Sequence, residues 1–150
     1  MRQPPWPVES ALDAIGNTPV VRLRHVVPST GHASVDAFCG TVGTAGMAVG
    51  VARVLRPRWP RLRVVVCEPA LSPLLDRELC GEARAIEEEE GRAMCRRLAK
   101  EEALLVGTST GLNVVAAIHL AKELGSGKTV VTVACDTGLK YLSGDLFADG

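Results

Sequence analysis

The chain has 150 residues, 47% hydrophobic and 23% charged, with 17 basic and 17 acidic side chains that cancel. This length suits one domain able to bury a core, and the composition excludes a disordered chain. Zero net charge gives no support for nucleic acid or a membrane surface as partner, and no apolar run is long enough to span a bilayer.

The opening residues, MRQPPWPVES, contain no apolar segment of the signal-peptide kind, so a cytoplasmic location is expected. Their prolines suggest an extended arm. A helical turn near residue 8, the turn Gly16-Asn17-Thr18-Pro19 and a short strand over 20–23 are expected next. A loop over 26–33, holding Pro28, Ser29, Thr30 and Gly31, leads to the most informative stretch, SVDAFCGTVGTAGMAVGVARV at 34–54. It reads as a strand over 34–39, a glycine-rich turn at Gly40, Gly43 and Gly46, and a helix over 44–55 stopped before Pro57. A strand feeding a glycine loop that opens a helix is a natural phosphate seat, because free N–H groups and the positive end of the helix dipole favour an anion.

The β-branched run over 63–67 predicts a buried strand ended by Glu68-Pro69. Residues 70–85 show no period and are expected to be irregular. A helix is predicted over 86–104, with Glu87–Glu90 leading and Arg92, Arg96, Arg97 and Lys100 following. That order complements the dipole and allows a Glu88–Arg92 pair, and the acidic run reads as a solvated helix face. A very short strand at 105–106, a helix over 111–124 stopped by Gly125-Ser126-Gly127, a buried strand over 129–134 and a turn at 136–138 complete the order. Strands alternating with helices predict an α/β fold with a mainly parallel sheet and helices on both faces, with ligands outside the carboxyl ends of the strands.

The five cysteines, Cys39, Cys67, Cys80, Cys95 and Cys135, are odd in number and form no C-x-x-C pair. They read as small buried hydrophobes rather than a zinc site or disulfide framework. His25, His32 and His119 have no ligand spacing, and His119 reads as a structural helix residue. The glycine loop and Glu68 also fit, loosely, a nucleotide-binding domain in which Glu68 meets a ribose. The spacing is G-x-x-G-x-x-G rather than G-x-G-x-x-G, which argues against that reading.

Three segments in order resemble the cysteine synthase and cystathionine β-synthase family: AIGNTPVVRL at 14–23, VGTAGMAVGV at 42–51, and the pair EEALLVGTSTGLNVVAAI at 101–118 and VVTVACDTGLKYL at 130–142. The family consists of pyridoxal-phosphate (PLP) enzymes of the tryptophan-synthase-β-like fold. The resemblance implies β-replacement on an O-activated serine, with PLP as electron sink and a small amino acid as substrate. It implies that Gly43, Thr44, Ala45 and Gly46 hold the cofactor phosphate and that Ser109 bonds the pyridine nitrogen. A helix N-cap before Leu112 is the equal alternative for Ser109. The family commonly has glycine at the position of Ala45 and threonine at that of Met47.

Family members are about twice this length. Between the opening motif and the phosphate loop they carry most of a smaller domain, with the Schiff-base lysine and the substrate-carboxylate loop. Here only the short connection 24–33, without lysine, stands there, and a second gap falls near 72–76. The chain is thus expected to be one α/β domain, an arm and shortened connection over 1–33 and a cofactor-phosphate core over 34–150: a remnant with most of the smaller domain missing. Of its four lysines, Lys100, Lys122, Lys128 and Lys140, only Lys140 lies near the family's cofactor pocket. No catalytic residue is assigned, and negligible turnover is expected of the chain alone. A non-catalytic phosphate-binding or partner-binding module is the alternative, with a homodimer left open.

Overall fold

A computed structural model describes residue 23 and residues 35–43, 45–71 and 82–148. The expected elements before residue 23, the loop over 26–33, and the residues Thr44, Cys80, His25 and His32 lie outside the described residues.

Among the described residues, four parallel strands form one sheet in the order β3-β2-β1-β4. Central β1 (Ala37–Thr41) begins and ends later than its expected bounds. Its small residues alternate between the faces, as strand geometry requires. Ala37 and Cys39 join the main core, together with Val65 and Cys67 of β2 (Arg63–Pro69). Phe38 and Gly40 look the other way, where a Cβ on Gly40 would strike the Met47 side chain. Helix α1 (Gly46–Leu55) therefore crosses that face, and it ends before Pro57 as expected.

On the first face lie α2 (Glu88–Glu102) and α3 (Thr108–Leu124). Met94, Cys95 and Leu98 of α2 meet Leu112, Val115 and Ala116 of α3 over the sheet. The two helices approach most closely where Gly111 faces the carbonyl of Gly91. The expected α/β architecture with helices on both faces is thus present, and α3 is its central helix.

Other boundaries also differ from expectation. Residues 82–85, expected irregular, form β3 (Glu82–Ile86) with Ile86, against β2. Glu-Ala-Arg-Ala carries no strand signal of its own; pairing and the ions at its start decide the outcome. Arg63 and Arg84 each bond Glu82 and Glu123, tying β2 and β3 to the end of α3. Ile86 consequently closes β3 rather than opening α2. Helix α3 starts three residues earlier than predicted, after Gly107.

The strand expected over 129–134 shrinks to β4 (Val130–Val131), half-buried. Beyond it, side chains replace the ladder. The Thr132 hydroxyl donates to the Cys39 carbonyl (2.7 Å), and Asn113 takes the Thr41 N–H. Val106 makes a single antiparallel bridge to Thr137 in place of a short strand. A 3-10 turn (Gly138–Tyr141) follows, capped by the Thr137 hydroxyl, which accepts from the Leu139 N–H. Arg92 pairs with Glu89 and Asp145, not with Glu88.

Candidate functional site

The carboxyl ends of β1 and β4 and the N-termini of α1 and α3 meet at one end of the sheet. From Thr41 the chain passes Val42 and Gly43 to Ala45, which stands in the left-handed region at φ 60° and caps α1 without a side-chain bond. An L-residue adopts that conformation at a cost, and here it aims the first turn of α1 outward. No acidic residue occupies that turn. The first helix bond runs from the Val49 N–H to the Ala45 carbonyl (3.0 Å), so the N–H groups before it have no intrahelical acceptor. Gly43, Ala45 and Gly46 are exposed. The start of α1 is thus exposed, without a side-chain cap and without an acidic residue, and such a helix start favours an anion over a cation.

Ser109 is the second residue of α3, half-buried. The cap position belongs to Gly107, which rules out the N-cap role. The Ser109 hydroxyl makes no hydrogen bond among the described residues.

Four residues on, and so on the same helix face, stands Asn113, fully buried. Its Oδ1 accepts the Thr41 N–H (2.6 Å), and its Nδ2 donates to the Val133 carbonyl (2.8 Å) and reaches Cys135 Sγ (3.3 Å). One amide thereby fastens the strand that leads to α1 to the segment after β4, beside Ser109. Sequence reasoning missed Asn113. Its signal was a lone amide within an otherwise apolar helix, which a buried side chain must satisfy. Thr110 adds a second tie: its hydroxyl accepts from the Cys135 N–H (3.0 Å).

The lysines stand elsewhere. Lys140 is exposed and bonds Asp136 Oδ2 (2.7 Å), and that bond raises its pKa above the ordinary lysine value. An amine poised to attack a carbonyl needs the opposite shift. Asp136 also accepts from the Tyr141 hydroxyl (3.2 Å), and its carboxylate fills the space a side chain at Gly107 would need. Lys128 pairs with Asp36, and Lys100 and Lys122 are exposed on the helices.

Glu68 is buried at the end of β2 and offers no exposed acid to a ribose. Cys39, Cys67 and Cys95 are buried as expected, but Cys135 is exposed beside Asn113. The bond to Cys39, together with burial, pushes the Cys67 thiol up, and burial does the same to Cys95. His119 is exposed and faces Glu90 (3.4 Å) rather than serving the core.

Residues 73–136 match the family model described as pyridoxal-phosphate dependent enzyme. A cysteine synthase of Staphylococcus aureus is 36% identical over 137 residues, covering 77% of this chain and 44% of its own length. A probable cysteine synthase of Bacillus subtilis is 32% identical over 158 residues, covering 91% and 50%. Among solved structures, the O-acetylserine dependent cystathionine beta-synthase from Helicobacter pylori aligns with a TM-score of 0.68 at 31% identity, covering 75% of this chain and 44% of that one. The O-acetyl serine sulfhydrylase isoform 3 from Entamoeba histolytica gives 0.70 at 27% identity, covering 77% and 42%. The chain spans about half the length of the curated relatives it matches.

Proposed function

We propose that this chain, which is similar to cysteine synthases and to a cystathionine beta-synthase and matches a PLP-dependent enzyme family model in part, holds PLP, or a similar small phosphate ester, without covalent attachment and without turnover of its own. The observation that carries this reading is the uncapped, acid-free start of α1, turned outward by left-handed Ala45 at the end of the central strand. Gly43, Ala45 and Gly46 would take the phosphate through backbone N–H groups, and Thr44 is carried over from the motif. Ser109 would offer its free hydroxyl to the ring nitrogen, a neutral partner that leaves the ring unprotonated.

PLP, when bound, supplies an electron sink for bonds at an amino-acid α-carbon. This chain's residues bind and orient; none of its lysines fits the covalent anchor. Lys140 is held as a cation by Asp136, and the other three lie on solvated surfaces or in an ion pair. The β-replacement chemistry of the relatives therefore does not pass to this chain alone. The short connection between the opening motif and β1 accounts for that loss, since it is where the family carries its lysine and substrate loop.

The test is a PLP titration followed by borohydride reduction and mass spectrometry. The expected result is saturable binding, weakened about tenfold in Ala45→Asp by a like charge at the seat, with no single reduced adduct. Cysteine formation from O-acetylserine and sulfide should be undetectable. A unique adduct at Lys140, or turnover, would overturn the reading. Partner binding is the second reading, favoured by exposed Val54, Leu71, Leu139 and Leu142. A cytoplasmic location accords with both readings, and a homodimer is the simplest assembly for the second.

A further inference from the structure

The anion seat accounts for the start of α1 but not for its other end. Arg53 on α1, Arg56 at its C-cap, and Arg58 and Arg61 in the turn after it are all exposed. None of the four forms an ion pair among the described residues. The other arginines among the described residues are matched: Arg63 and Arg84 with Glu82 and Glu123, Arg92 and Arg96 with Glu89, Arg97 with Glu101. The imbalance is written into the sequence, since residues 37–67 contain no Asp or Glu. A helix C-terminus gains from one or two cations, which leaves Arg58 and Arg61 without a role. Arg58 lies over the Trp59 ring, 5.4 Å from its centre, and so covers apolar surface while keeping its charge in water.

Between these charges the surface is apolar. Val49, Ala52 and Pro57 floor a shallow open groove of about 430 Å³ with Arg53 and Arg56 at its rim. Val49 is 46% exposed and neighbouring Val54 is 72% exposed. The groove runs from Val49, in the first turn of α1, to Pro57 beyond its last residue, and includes none of Gly43, Ala45 and Gly46.

We infer that the outer face of α1 with the turn after it is a docking surface for an acidic amphipathic peptide segment of a partner protein. Charge complementarity selects the acidic side chains, and the apolar floor selects the rest. A nucleic-acid backbone would satisfy the arginines but leave Val49, Ala52 and Val54 uncovered. An amphipathic helix with carboxylates flanking an aliphatic stripe satisfies both. The site is independent of PLP and of the proposed cofactor reading.

The test is fluorescence anisotropy of a labelled peptide built on a Glu-Glu-Leu-Leu repeat, with a labelled oligothymidine as the competing polyanion. The expected result is saturable peptide binding that weakens as salt rises, and weakens about tenfold in the double variant Arg53→Glu/Arg56→Glu. Lys100→Glu/Lys122→Glu, which changes net charge equally on the opposite face, should stay within about twofold of the parent protein by the same argument. Arg53→Gln/Arg56→Gln, a milder change, repeats the test should the reversal fail to fold, and should weaken binding about threefold. Absence of peptide binding, an equal loss in both charge-reversal variants, or tighter binding of oligothymidine than of peptide would each overturn the inference.

Discussion

Ala45 is the residue at which sequence and conformation disagree. Its φ of 60° costs an L-residue about 1–2 kcal/mol. Ala45→Gly should remove that cost, less about 0.4–1 kcal/mol for the freer unfolded chain, and so raise stability by roughly 0.5–1 kcal/mol. A higher urea midpoint with an unchanged slope is the expected readout; a lower midpoint would mean that Ala45 is not strained. Asn113 poses the opposite case, since its amide satisfies Thr41 N–H and the Val133 carbonyl from a fully buried position. Asn113→Ala should cost about 2–3 kcal/mol by leaving both groups without partners, and the same titration checks it. The strand, the glycine turn and the helix start were legible, because glycine spacing and the strand-to-helix switch are local signals. Asn113 was not: its role lies in bonds to β1 and to the segment after β4, and nothing near it in the chain announces them.

Among the elements, α2 and α3 depend on a backbone approach that no larger residue permits. A Cβ at Gly111 would collide with the Gly91 carbonyl oxygen, whereas one at Gly50, in exposed α1, would meet nothing within 4 Å. Gly111→Ala should therefore cost about 1–3 kcal/mol by forcing the helices apart, while Gly50→Ala should gain about 0.5–1 kcal/mol in helix propensity. Thermal melts of the pair should move in opposite directions; movement in the same direction would refute the contact. Periodicity showed these helices well, yet it hid β3, whose place is set by β2 and by ions distant in sequence. Those ions give stability a pH dependence. Burial pushes the Glu82 carboxyl up, but hydrogen bonds from Arg63 and Arg84 outweigh it and hold the group below its ordinary value. Hydrogen bonds from Arg84 and Arg63 lower Glu123 as well. Both folded values are depressed, so this stabilisation is complete above the unfolded carboxylate pKa of about 4.3 and is lost as pH falls through the folded values. Glu82→Gln should flatten the acid limb of a stability–pH curve and leave the neutral limb level.

Across the whole molecule, the core is unequally shared. Helix α3 buries nine residues and α1 buries only Ala48, so the helix that carries the anion seat is the least anchored of the three. Local opening follows packing. Amide hydrogens of α1 should therefore exchange well before those of α3, whose opening requires loss of the main core. Ligand that binds only the formed seat must stabilise the element that forms it. Saturating PLP should then slow exchange across α1 while leaving α2 and α3 unchanged, and inorganic phosphate should do the same more weakly. Hydrogen exchange read by mass spectrometry distinguishes the alternatives. Slowing confined to α1 ties the phosphate to its N-terminus, whereas uniform slowing or none would place the ligand elsewhere. The main core draws on β1, β2, α2 and α3 and on no residue of α1, so a ligand at either end of α1 should order that helix without repacking the core.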